Sequence, residues 1–427
     1  MNAWSQELER PSEAFFRAFA ARVAEPDGVG GAVRDAVLVL VPRVDWPGYL
    51  PQIPHGLLGL AAVLDLRPHL QERSFLRLVA TQIRTFAAEG RASEARSLQK
   101  VKGSGHWSNI ELALRDHRPA IAWGELAALE TPTTKDFQRL LPFAAPDMAN
   151  IGHKAVAIGA MERLWDALRQ SPDVGRVLLA WVGWLTATEP DDRFWRVRMA
   201  RRLEGGNLRV PICAVVHDDV WHREFAREVC DYGLVALLDA IVARLKAGAG
   251  SGDLLAGLVL ATAEKMVDAR RDLEGKTAWN LVYLSIVVEH LATLDQPEVW
   301  GQAAALVNFF PSDAPEDRRQ AQRAEHGEAL LDAILDGEPE LAMGLAECPK
   351  GAAESVFGIL AEAASRNDPG NNHSSHVLAV AAAARLAPLL PEYVMKVMHI
   401  ALAKSLANSQ VSDDLGRMAD LALVRFK

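Results

Sequence analysis

Cysteine is scarce. Cys213, Cys230 and Cys348 are the only three in 427 residues, and no Cys-x-x-Cys pair occurs. That spacing excludes a disulfide framework and a thiolate zinc site, and it suits a reducing, cytoplasmic setting. Long apolar runs are missing too. The longest, 36–42 and 254–263, fall well short of the 18 or so uninterrupted residues that a bilayer-spanning helix needs, so no membrane partner is expected. Nor is there an excess of positive charge: 46 Lys and Arg against 55 Asp and Glu leave a net charge of −9. A protein that grips phosphate backbones needs a concentrated basic face, whereas the short basic cluster at 196–202 alternates with apolar residues, so no nucleic-acid partner is expected. The first residues mix acidic side chains into an amphipathic pattern. A secretory leader would need a basic start and an unbroken apolar run, so a capping helix is expected there instead.

Alternating strand patterns and the hairpin dipeptide Asn-Gly are absent, as are Gly-x-Ser-x-Gly and His-Glu-x-x-His. What fills the chain is apolar residues at three- and four-residue spacings, which defines an all-α fold. The spacing predicts helices over about 11–24, 31–41, 55–66, 71–89, 119–130, 134–142, 150–170, 173–187, 192–203 and 219–247. Further helices are expected over about 251–272, 277–293, 296–308, 315–336, 351–366, 374–387, 391–407 and 411–424. Links are short, so successive helices should pack antiparallel as a multi-helical array in a single large body. A possible internal seam lies at 204–210, with a second at 367–372, and no fixed repeat period is evident.

Two glycine motifs carry little. Gly275-Lys276-Thr277 ends like a phosphate loop, but Arg270 stands where that loop needs glycine. Gly28-Val29-Gly30-Gly31 follows Glu25-Pro26-Asp27 rather than a buried strand, so it reads as a loop before a helix. Asp218 and His222, four residues apart, would share a helix face able to chelate zinc or iron. No third ligand stands at a diagnostic spacing, and acidic residues at a helix start serve as caps, so no metal is assigned.

Three histidines begin apolar helices: His55 after Pro54, His153 after Gly152, and His376 after Ser375. Four and seven residues further on stand small or short residues: Gly59 and Ala62, Ala157 and Ala160, Val380 and Ala383. They share the histidine's face and leave room for a neighbouring helix or a flat ligand. A helix N-terminus disfavours imidazolium, which makes such a histidine a usable acid or base near neutral pH. Each could equally cap its own helix, and His373 beside His376 is capping chemistry of the same kind. Trp165, Trp181 and Trp184 lie close in sequence; Trp181 and Trp184, three apart, could line one wall of a pocket.

The segments Pro54-His55-Gly56-Leu57-Leu58, Ile151-Gly152-His153-Lys154-Ala155-Val156 and Ser375-His376-Val377-Leu378-Ala379 resemble the histidine-helix segments of the questin oxidase-like family. Gly56 stands where the family pattern has a second histidine, and Val377 and Leu378 where it is more polar. The resemblance implies an all-helical monooxygenase of secondary metabolism that performs Baeyer–Villiger-type chemistry on a small aromatic polyketide-like substrate. It implies molecular oxygen as co-substrate, NADPH as reductant, and His153, His55 and His376 as catalytic residues. Ala157, Ala160, Trp181 and Trp184 would then bind the substrate in an apolar cavity. The rival reading from another class is a helical scaffold that binds a protein partner along a groove.

Overall fold

The computed structural model describes residues 3–44, 53–89, 101–147, 151–188, 209–269, 275–294, 297–309, 329–347, 353–366, 374–409 and 413–424. The first described helices are α1 (Ala3–Glu9), α2 (Phe15–Val23), α3 (Gly28–Leu40), α4 (His55–Leu66), α5 (Glu72–Glu89), α6 (Trp107–Arg115) and α7 (Pro119–Ala127). Next come α8 (Thr134–Ala144), α9 (His153–Ala167), α10 (Pro172–Thr186), α11 (Asp219–Asp231), α12 (Leu234–Lys246), α13 (Ser251–Asp268) and α14 (Trp279–Glu289). The last are α15 (Pro297–Phe309), α16 (Leu330–Leu335), α17 (Pro339–Glu347), α18 (Ala353–Ser365), α19 (Ser375–Leu386), α20 (Glu392–Asn408) and α21 (Asp414–Val424). No strand occurs among the described residues, and the fold is all-α.

Four helices carry the architecture. Residues of α4, α9, α14 and α19 are buried almost throughout, as expected of helices apolar on every side. Each packs on two others in the order α4, α9, α14, α19 and back to α4, closing a square. Charge contacts fix their direction. Asp65, Arg163, Glu289 and Arg385 each stand ten residues after the first residue of their helix (55 to 65, 153 to 163, 279 to 289, 375 to 385). They meet at one end: Arg163 pairs with Asp65 at 3.1 Å and with Glu289, and Arg385 pairs with Asp65 and lies 3.7 Å from Glu289. The helix starts meet at the other end, roughly 15 Å away by helical rise, so the four run parallel.

Parallel neighbours need return segments, and the outer helices provide them. The hairpin from α4 to α5 turns through Arg67–His69, where Pro68 cannot donate to the helix and Leu70 leaves in extended backbone. The hairpin from α19 to α20 repeats this turn at a spacing of 320 residues: Leu66, Pro68, Leu70 and Glu72 become Leu386, Pro388, Leu390 and Glu392. This single recurrence sets no fixed repeat period along the chain. The two hairpins share their element boundaries and turn chemistry but few side chains elsewhere, because different outer helices cover them. α10 backs α9, while α13 and α15 back α14. α21 packs on α2 and α5, bringing the last described helix against the first ones in one helical body.

Most expected helices stand within a few residues of their predicted ends, and α4 matches at both. The single helix expected over 219–247 is two, α11 and α12, separated at Tyr232-Gly233. α6 and α17 were not expected. The helix predicted over 192–203, the first part of that over 315–336, most of the seam at 204–210, the whole seam at 367–372, Cys348 and His373 lie outside the described residues.

Candidate functional site

The starts of α4 and α9 bring two of the predicted histidines together. The Nε2 atoms of His55 and His153 lie 3.3 Å apart, and the imidazoles meet edge to face with centroids 5.3 Å apart. Such a contact requires one Nε2 to carry a proton and the other to be bare. His153 is buried, and its other neighbour is Trp279, the first residue of α14, stacked on it at 4.0 Å and 19°.

The local backbone explains this placement. Ile151 (φ 52°) and Gly152 (φ 81°) are both left-handed, which turns the chain sharply into α9. A Cβ on Gly152 would also lie 2.8 Å from the Tyr283 ring, so glycine is required twice over. Tyr283 is anchored by donating its hydroxyl to the Ala145 carbonyl at 2.9 Å. The Trp279 indole N–H donates to the Ile151 carbonyl at 2.8 Å, tying the stacked ring to the same turn. Beneath it the Lys154 ammonium is paired with Asp147, both wholly buried.

On the α4 side the N-cap is Pro54, which has no side-chain acceptor, and the cap comes from the end of α5 instead. The Glu89 carboxylate accepts from the backbone N–H groups of His55 at 3.1 Å and Gly56 at 2.9 Å. Burial pushes this carboxyl up to about 7, against the opposing pull of those two N–H groups. Gly56 has no room for a side chain, since its Cβ would lie 2.4 Å from the backbone nitrogen of Phe86. A second histidine could not stand there.

His376 is the second residue of α19 and is held differently. Its Nε2 lies 2.9 Å from the Ser409 hydroxyl just past α20. That hydroxyl donates to the Ser405 carbonyl at 2.8 Å, so the imidazole donates to Ser409. The turn at Gly275 (φ 64°), ahead of α14, passes against the same imidazole. The small residue Gly59 does not leave space for a ligand: a Cβ there would lie 2.1 Å from Gln82 Oε1 and 2.7 Å from the Ser374 side chain, so the room is taken by neighbouring helices. Ala157 and Ala160 are buried in α9, while Trp181 and Trp184 sit on α10; the indole stacked on His153 is Trp279.

Sequence reasoning missed Trp279 and Glu89. A hint of Glu89 was present in Pro54, which leaves the first N–H groups of an apolar helix needing an acceptor from elsewhere.

A second histidine cluster lies where the segment leading into α11 crosses the start of α13. Asp218 does not ligate with His222; it caps α11 by accepting the Trp221 N–H at 3.0 Å. His222 turns to the fully buried Asp253, with Nε2 3.2 Å from Oδ1 and Nδ1 2.5 Å from the Tyr393 hydroxyl. Asp253 also accepts from His217 Nδ1 at 2.9 Å and from the backbone N–H groups of Val216 at 3.0 Å and His217 at 2.9 Å. Desolvation lowers the His222 pKa, so its neutral ring donates to Asp253 and accepts from Tyr393. Among the described residues no three His, Cys, Asp or Glu side chains are placed to hold a metal ion. A cavity of about 520 Å³, lined by Val215, Ser251, Leu255, Val288, Leu291 and Pro388 among others, adjoins this cluster at the charged end of the square.

No described helix is long and apolar enough to cross a membrane. No family model, curated protein or solved structure matches the chain. The site is therefore read from its own geometry.

Proposed function

We propose that the His55–His153 pair is the acid/base centre of an oxygen-dependent oxidoreductase acting on a phenolic aromatic substrate. The observation that carries this reading is the 3.3 Å contact between two Nε2 atoms at the joined starts of two buried helices. The bare Nδ1 of the ring that donates in this contact takes the phenolic proton, and its Nε2 proton is then shared with the partner Nε2, which spreads the charge that results. The N-terminal dipoles of α4 and α9 favour the phenolate left behind. Deprotonation makes the aromatic ring electron-rich enough to react with molecular oxygen. In the monooxygenation that the family resemblance suggests, one oxygen atom enters the substrate. The other leaves as water, with two electrons and a proton supplied by NADPH and a second proton from solvent. A reducing, cytoplasmic setting would sustain that supply.

His153→Gln tests the reading. The variant should unfold at nearly the wild-type temperature and lose about two to four orders of magnitude in oxygen consumption with a hydroxyanthraquinone and NADPH. Undiminished turnover would remove His153 from the chemistry. The scaffold reading draws support from Ile212, Val216 and Val220, exposed apolar residues on and just after the segment crossing α13. It would gain if both His55→Gln and His153→Gln left every measured activity unchanged.

A further inference from the structure

The cap of α4 comes from far along the chain and falls on the residue whose imidazole meets His153. Helix caps normally come from the residue at the helix start, yet Pro54 has no acceptor and the donors of His55 and Gly56 are taken by Glu89. Neither α9 nor α19 has a side-chain cap at its start. The approach depends on glycine: only with no Cβ at Gly56 does the first turn of α4 lie flat against Phe86 and bring its N–H groups to the end of α5. The equivalent place in the second hairpin, 320 residues on, is Ser409, which holds the imidazole of His376. In both hairpins, then, the end of the outer helix returns to a histidine in the first turn of the inner one, through backbone in the first and side chain in the second.

We propose that Glu89 is the positioning residue of the imidazole pair: by clamping the first two N–H groups of α4 it fixes the His55 ring at hydrogen-bond distance from His153. Glu89 reaches the pair through the backbone and takes no part in the chemistry itself. With a pKa of about 7 the carboxyl is partly anionic at neutral pH, and its hold on the N–H groups is strongest once it is fully ionised. The inference rests on the pair being the acid/base centre, but its first readout does not.

The test is imidazole proton NMR on the full chain, with oxygen consumption measured on the same samples. In the wild type, the proton shared by His55 and His153 should give a slowly exchanging downfield resonance that vanishes in His153→Gln. Glu89→Ala should broaden or abolish it and lower turnover roughly 100-fold, as expected when a reacting group is displaced by about an ångström. Glu89→Gln, which keeps one acceptor and is the safer variant for folding, should restore most of both. A resonance unchanged in both Glu89 variants would overturn the proposal whatever the activity. Loss of the resonance in Glu89→Ala with turnover unaffected would uphold the positioning and instead count against the proposed chemistry of the pair.

Discussion

At the starts of α4 and α9 two imidazoles touch with nothing between their Nε2 atoms, whereas at the start of α13 two others are held apart by the Asp253 carboxylate. Both clusters lie at helix starts in buried surroundings. In the second, one carboxylate accepts four hydrogen bonds and fixes both rings, which fastens the segment before α11 onto α13. In the first, the nearby carboxylate holds only backbone, and the rings are left to share a proton with each other. On the proposed function, what separates a stabilising histidine pair from a reactive one is whether a carboxylate stands between the rings.

Replacing that carboxylate tests the contrast most severely. Asp253→Ala should cost about 2–4 kcal/mol, because it strands the buried His222 imidazole and takes the acceptor from the half-buried His217 ring and two backbone donors. Denaturant unfolding would measure this, and the folded fraction should keep its full turnover, the reverse of His153→Gln. A variant of Asp253 that stays stable but loses activity would erase the distinction between the clusters.

The pH dependence of stability sharpens the comparison with two further groups. Burial lowers the pKa of His399, which lies edge-on to Phe357 with no partner on Nε2 among the described residues, to about 4. The folded state thus binds fewer protons than the unfolded one between pH 6.5 and 4. The contribution of His399, on the order of 3 kcal/mol, is present above pH 6.5 and lost as pH falls through this window. Glu89 works the other way. Its raised pKa means the folded state binds more protons between pH 4.5 and 7, so its contribution falls as pH rises through that range. Chemical denaturation from pH 4 to 7 should therefore show a steeper rise in stability with pH for Glu89→Gln than for the wild type. Identical slopes would mean that Glu89 is not buried in its acid form.

The smallest effect belongs to Tyr393→Phe. Losing the hydroxyl leaves His222 Nδ1 without its donor and should cost about 1–2 kcal/mol, read from the shift in denaturation midpoint, with no change in turnover.

The helices were largely legible because their packing faces repeat along the chain: the apolar run after His55 shows all of α4. The break between α11 and α12 was not, since apolar spacing continues on both sides of Tyr232-Gly233 and only the glycine marks the exposed, extended stretch that ends the helix. His55 and His153 could be picked out as helix-start histidines, but their meeting could not, because it depends on which helices become neighbours. Glu89 and Trp279 were hidden for the same reason. Gly59 misled by composition alone: a missing side chain looks the same in sequence whether a ligand or a Gln82 side chain fills the gap.

The four charges that close the far end of the square also dictate its seating plan. Acid and base alternate around it, Asp65, Arg163, Glu289 and Arg385, so each touches two opposite partners. Burial pushes the Arg385 guanidinium down to about 10, so it remains charged at neutral pH. If α4 and α9 exchanged places, Asp65 would face Glu289 and Arg163 would face Arg385, turning two attractions into two repulsions between half-buried charges. Exchange across the diagonal would keep the alternation. Four side chains thus rule out the neighbour swaps that would separate His55 from His153 in the order of the chain, and leave the fold a much shorter set of arrangements to choose among.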